Sequence, residues 1–200
     1  MARFKLEFTG SVIARSLIRF LPYILLVGGI TLSGQGLWIY VKAFTAQVLL
    51  ERAFAQSVTS GTPVKPWNWA DTWPIARIEV PRINASAIAL KGTSGQALAF
   101  GPGHLDNTPA PGEYGTAVYA AHRDTHFAFL KNVEKNDLIR ITRHDGQVVT
   151  YRVTYMEVVR WDRSSIDPRA EGRHLVLATC YPFGALTSGP LRYLVHAEMF

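Results

Sequence analysis

Twenty-two residues without a charge, FLPYILLVGGITLSGQGLWIYV, lie between Arg19 and Lys42. A helix of about 20 apolar residues can span a bilayer, because lipid offers backbone amides no partners and a helix satisfies them internally. Arg15 and Arg19 precede the run, and Trp38 and Tyr40 close it. A basic cytoplasmic flank and an interfacial aromatic belt take this form. Pro22, four glycines and Gln35 dilute the run, and a buried core helix is the competing reading. Ala53-Phe54-Ala55 has the shape of a signal-peptidase site but lies beyond Lys42, Glu51 and Arg52, so the anchor is expected to stay uncleaved. The organisation expected is a basic cytoplasmic N-terminus over 1–19, a transmembrane anchor over 20–41, a helical stalk and Pro/Trp-rich linker over 42–73, and an exported domain over 74–200. Such a chain is a single-pass cytoplasmic (inner) membrane protein with its N-terminus inside.

Charge narrows the partners. Lys and Arg number 21 against 15 Asp and Glu, a net +6, and residues 1–19 carry half of that excess. What remains is too small to favour nucleic acid. Apolar residues at 48% and charged ones at 18% exclude a disordered chain. The single cysteine, Cys180, excludes an internal disulfide, a CxxC redox pair and a multi-cysteine zinc site.

From about Asp71 onward, short apolar or alternating runs recur between turn signals: 74–80, 83–90, 116–122, 137–143, 147–159, 174–180 and 190–200. Asp145-Gly146 predicts a tight turn between two of them, since glycine readily takes positive φ. After it, Val149, Tyr151, Val153 and Tyr155 alternate with polar residues, which predicts one buried face. Two short helices fit, Gly95–Asn107 and Thr125–Val133. The fold class is therefore all-β, a barrel or sandwich of seven to eight strands.

Three chemically competent residues stand at strand ends. His122 ends TAVYAAH, Cys180 ends HLVLATC and Arg192 opens the last strand. Taken singly, each has a bland reading: a buried thiol, a satisfied histidine, a solvated arginine. Together they offer a nucleophile, a proton carrier and a donor for a developing oxyanion. A cationic neighbour favours the thiolate, the attacking species. Tyr-Pro directly after Cys180 argues that the strand ends there.

VLATC (176–180) resembles the TLxTC signature of sortases, the cysteine transpeptidases of bacterial surfaces. PGEYGTAVYAAHRDTHFAFLKNV is similar to the family's histidine segment, KNDLIRI to the strand that follows it, and TCYPFGALTSGPLRYLVHAE to its cysteine-to-arginine stretch. The resemblance covers roughly Pro74–Phe200 and is closest to the short, N-terminally anchored sortases of Gram-negative bacteria or of classes D and E. Two departures stand out: Val176 replaces the signature's Thr, and Ala121 replaces the usual Gly beside His122. The second constrains the backbone if that position needs positive φ.

The resemblance implies a closed sortase-like β-barrel and a reaction. Cys180 attacks the carbonyl of a Thr-Gly-type bond in the C-terminal sorting signal (LPxTG-like) of an exported protein, forming a thioacyl enzyme. His122 protonates the leaving amine and deprotonates the incoming one, and Arg192 holds the carbonyl oxygen or oxyanion. An amine acceptor resolves the thioester. Thr179 is a structural residue or substrate contact, and the Tyr181 amide an oxyanion candidate. No metal or organic cofactor is implied, and no acidic cluster for calcium is seen. His126 is a rival proton carrier, and Asp124 a cap for the helix opening at Thr125. Trp161–Arg173 and the loop after Cys180 are the expected cleft walls. Coupled titration of Cys180 and His122 would give a bell-shaped pH–rate profile. The alternatives are a catalytically silent membrane-tethered scaffold and a peptidoglycan cross-linking cysteine enzyme, whose Ser/His-Gly-x-x-x-Cys pattern is absent.

Overall fold

The computed structural model describes residues 10–164, 166–187 and 189–200, with side chains from residue 20. Arg3, Lys5 and Glu7 of the basic N-terminus lie outside the described residues. The chain divides into two compact units, Met1–Thr45 and Ala46–Phe200. Helix α1, Gly10–Ser60, contributes to both.

In the first unit, α1 is long and apolar enough to cross a membrane. Its large side chains from Phe20 to Phe44 face outward, as a lipid-facing surface requires. The hydroxyl of Thr31 donates to the Val27 carbonyl at 2.8 Å, so this polar group is satisfied within the helix. Lys42, the first charge after the run, lies 5.8 Å from the Trp38 ring.

In the second unit, the remainder of α1 packs on a β-barrel. Leu50 and Phe54 are buried with Ile88, Leu90 and Ala97, which contributes about 1.5–3 kcal/mol for each large side chain. The Gln47 amide donates to the Phe100 carbonyl at 2.8 Å. Residues 61–73, expected as a linker, also lie on the barrel. Trp67 meets Phe100 edge-on at 5.1 Å, and the Thr72 hydroxyl donates to the Lys91 carbonyl at 2.8 Å.

The barrel contains β1 (Pro74–Val80), β2 (Ala85–Lys91), β3 (Gly103–His104), β4 (Gly115–Ala121), β5 (Leu138–Arg143), β6 (Val148–Arg160), β7 (Arg173–Cys180) and β8 (Leu191–Met199). It closes in the order β1-β2-β3-β4-β7-β8-β6-β5, and β5 pairs back onto β1. Among the described residues the sheet therefore has no terminal strand. Seven strands fall where alternation and turn residues place them, while the two-residue β3 carries no sequence period. At Asp145-Gly146 the chain turns with Gly146 at φ 82°.

Three expected features come out differently. Helix α2 covers only Gly95–Phe100, because Gly101-Pro102 follows and a residue before proline avoids helical geometry. Thr125–Val133 is a turn followed by a 3₁₀ segment, Ala128–Asn132, rather than an α-helix. Tyr155, expected inside with Val149, Tyr151 and Val153, is 51% exposed. A bulge between Val153 and Tyr155 in the pairing with β8 explains this. One extra residue reverses the parity of every residue after it.

Candidate active site

Alternation along β4, β7 and β8 sorts their residues to two faces. Ala117, Tyr119, Ala121, Leu175, Leu177, Val195 and Ala197 belong to the barrel interior. Val118, Val176 and Leu194 form a second, smaller core on the outer face, with Leu105, Val159, Ile166 and Ala178 packed on it. Cys180 continues the parity of Val176 and Ala178, His122 that of Val118 and Ala120, and Arg192 that of Leu194. All three candidates therefore belong to the outer wall of the barrel near its rim.

Register brings them together. β4 and β7 run parallel with Ala121 opposite Thr179, so His122 and Cys180 each lie one residue further along. β7 and β8 run antiparallel with Cys180 opposite Arg192. Neighbouring strands are about 4.8 Å apart, so residues separated by 58 and 12 positions in sequence sit on three adjacent strands. They line one cleft of about 370 Å³ whose remaining walls include Leu98, Leu105, Trp161, Ser164 and Ile166.

Each group is held by its surroundings. His122 is exposed, and its carbonyl accepts from the Phe127 amide at 3.1 Å. The Phe127 ring is fully buried in the barrel core and pins that turn. Cys180 is a free, partly exposed thiol. Arg192 donates from Nη1 to the carbonyls of Gly189, at 2.9 Å, and Leu191, at 2.8 Å. Among the described residues, no carboxylate lines the cleft, so the guanidinium faces no competing anion there.

The remaining candidates separate. The Thr179 side chain has inward parity, is 2% exposed, and donates to the Ala121 carbonyl at 2.7 Å. Its hydroxyl thus ties β4 to β7 directly beneath His122 and Cys180, and the residue also borders the cleft. The Tyr181 amide donates to the Leu191 carbonyl at 3.0 Å, which engages the proton proposed for an oxyanion. Asp124 does not cap a helix; it accepts from Arg123 Nε at 3.3 Å. His126 turns to the Ala99 carbonyl at 3.4 Å, and burial, with His122 nearby, pushes its pKa down. Ala121 needs no glycine, since the positive-φ residues other than glycine are Asn84 and Asn136 among the described residues.

The 161–173 segment supplies Trp161, Ser164 and Ile166 to the cleft as expected. The loop after Cys180 contributes no wall among the described residues, and Leu98 and Leu105 take that place. The segment 65–73 lines none of it. Leu98 and Leu105 gave no sequence signal, for only closure of the barrel brings them beside β4. Arg123 was missed as well, although it directly follows His122. Its guanidinium is buried, and Nη2 donates to the carbonyls of Ala185 and Thr187 in the β7–β8 loop.

Comparison with known proteins places this arrangement. Residues 78–200 match the family model described as Sortase domain. The chain belongs to the sortase family. It is 34% identical over 122 residues to Sortase D of Bacillus subtilis (strain 168), covering 60% of this chain and 61% of that protein. Sortase A from Corynebacterium diphtheriae superposes with a TM-score of 0.60 at 29% identity, over 66% of this chain and 63% of that one. A pilus-related Sortase C of Group B Streptococcus gives 0.57 at 27% identity, over 64% and 67%. The chain thus spans somewhat under two thirds of the length of the first two relatives. In this sortase the matched region includes seven complete strands, β2 to β8, and all three cleft residues.

Proposed function

We propose that the chain is a membrane-anchored cysteine transpeptidase acting on the C-terminal sorting signal of an exported protein. The observation that carries this reading is the register of β4, β7 and β8, with one thiol, one imidazole and one guanidinium on a single open cleft. In the forward half-reaction the Cys180 thiolate, its proton passed to His122, adds to the carbonyl carbon of the scissile amide, and the carbonyl oxygen becomes negative toward Arg192. Collapse expels the amine, which takes a proton from His122 and leaves a thioester on Cys180. An incoming amine then attacks that carbonyl, gives its proton to His122, and releases the new amide with the thiol restored. Arginine suits the oxyanion role because its charge is permanent and its donors are rigidly spread.

The apolar walls, Leu98, Leu105, Val118, Ile166 and Leu194, favour a substrate segment with apolar side chains. We assign residues 20–41 to the membrane span, the N-terminus to the cytoplasm and residues 74–200 to the catalytic barrel. This assignment is supported by the basic flank and the outward-facing apolar helix. A silent scaffold is disfavoured by the partly exposed thiol at the open cleft. Incubating the full chain with an LPxTG-type peptide and an amine, and trapping the acyl adduct by mass spectrometry, tests the reading. Wild type should gain the acyl mass and Cys180→Ala should not; turnover by the alanine variant at the native rate would refute it.

A further inference from the structure

We propose that Arg123 is a positioning residue that holds the β7–β8 loop so that Arg192 stays aimed into the cleft; the inference rests on the transpeptidase reading above. Two arginines grip the same ten-residue loop, Tyr181–Pro190. From the histidine side, Arg123 Nη2 donates to the carbonyls of Ala185 and of Thr187, the latter at 3.0 Å. From the β8 side, Arg192 Nη1 donates to the carbonyls of Gly189 and Leu191. The Tyr181 amide closes the base of the loop on Leu191. Of the two carbonyls that orient Arg192, that of Gly189 therefore belongs to a loop that the residue next to His122 fastens at Ala185 and Thr187.

The burial of Arg123 shows that this contact is a built one. Its side chain is 7% exposed, while its acidic neighbour Asp124 is 60% exposed at 3.3 Å. A guanidinium is costly to remove from water unless its donors are paired. Here Nη2 alone reaches 62 and 64 residues along the chain to the loop carbonyls of Ala185 and Thr187, Nε pairs with Asp124, and Nη1 is buried without a partner among the described residues. The two hydrogens of Nη2 serve both carbonyls while Nε serves Asp124, a planar set of donors that a lysine ammonium does not reproduce. The arrangement couples the loop carrying the proton carrier to the loop that separates the nucleophile from the oxyanion donor. Arg123 touches neither substrate nor reacting atoms; its effect passes through Arg192.

A double-mutant cycle on the full chain in phosphatidylcholine/phosphatidylglycerol vesicles tests this. It uses Arg123→Gln and Arg192→Lys, with kcat and KM for the sorting-signal peptide and Tm for each variant. Arg123→Gln should lower kcat by about 10- to 100-fold, the effect of misplacing a catalytic group by a fraction of an ångström to one ångström, with KM much less changed. In the Arg192→Lys background the same substitution should change kcat by no more than about twofold, because the group it positions has been altered. Equal factors in both backgrounds, or a lower Tm with unchanged kcat, would overturn the proposal. Should Arg123→Gln fail to fold, Arg123→Lys carries the same cycle, since charge is kept and the planar donor geometry is lost. Turnover by Cys180→Ala would break the transpeptidase reading itself; an inactive Cys180→Ala with an additive cycle would break only the role of Arg123.

Discussion

The two faces of β4, β7 and β8 share one backbone yet serve opposite ends. Inside the barrel, Tyr119, Leu175, Leu177 and Val195 are at or below 1% exposure and seal the core. On the outer face, one residue away in each strand, Val118, Ala178 and Leu194 line a cleft that ends in His122, Cys180 and Arg192. A strand thus holds a reactive group rigidly because its neighbours are buried on the other side. Ala121 and Thr179 are the inward partners of His122 and Cys180, and the Thr179 hydroxyl ties them together. Cys180 and Arg192 thus lie within strands, and His122 lies one residue beyond β4.

Four measurements sharpen or break that division. The largest effect belongs to the outer face: Cys180→Ala should lower the transpeptidation rate by about 10⁴-fold or more while leaving Tm within a few degrees. A large loss of Tm would mean that the thiol belongs to the core. On the inner face, Leu177→Ala should cost about 2–5 kcal/mol by leaving a cavity in the barrel, read by urea unfolding. Its acylation rate well below the new Tm should change far less than its stability; the reverse pattern would dissolve the distinction between the faces.

Thr179→Val, which keeps the shape and removes the hydroxyl, should cost about 1–3 kcal/mol because the Ala121 carbonyl loses its partner in a buried place. Thr179→Ser should restore most of it. If the valine variant instead raised KM selectively at unchanged stability, Thr179 would be a substrate contact after all.

The smallest effect is pH-dependent. Burial pushes the pKa of His104 down against the opposing hydrogen bond that its ring makes to the Pro109 carbonyl. Burial does the same to His196, against Glu157 beside it. Folding thus favours the neutral rings, and the unfolded chain takes up protons first as pH falls below about 6.5. Stability from these sites is present above that pH and is lost as pH falls through the depressed folded values. Tm should decline between pH 7.5 and 5, and the decline should shrink in His104→Asn; a Tm that rises on acidification would contradict the sign.

Much of this was legible from residues alone. Alternation and turn residues marked seven strands, the charge-free run marked the long apolar helix, and the three motif segments pointed to the sortase family. The candidate trio came from residue chemistry at strand ends. What stayed hidden has identifiable causes. The bulge after Val153 carries no compositional mark, so Tyr155 read as an inward residue. The short α2 ended early because Gly101-Pro102 outweighed the helical pattern before it. Leu98, Leu105 and Arg123 act through partners distant in sequence, and no local period reports such contacts.

By itself, the amino-acid order determined where strands begin and end, which segment is apolar enough for lipid, and which reactive side chains exist. Those properties follow from backbone propensity and hydrophobic period, both local. Only the tertiary structure decided that Cys180 faces the outside of the barrel. Leu175, Val176, Leu177 and Ala178 are apolar on both parities, so alternation alone cannot say which side is the core. Barrel closure answers that by choosing which parity is enclosed, and the Trp161–Arg173 crossing then covers part of the other.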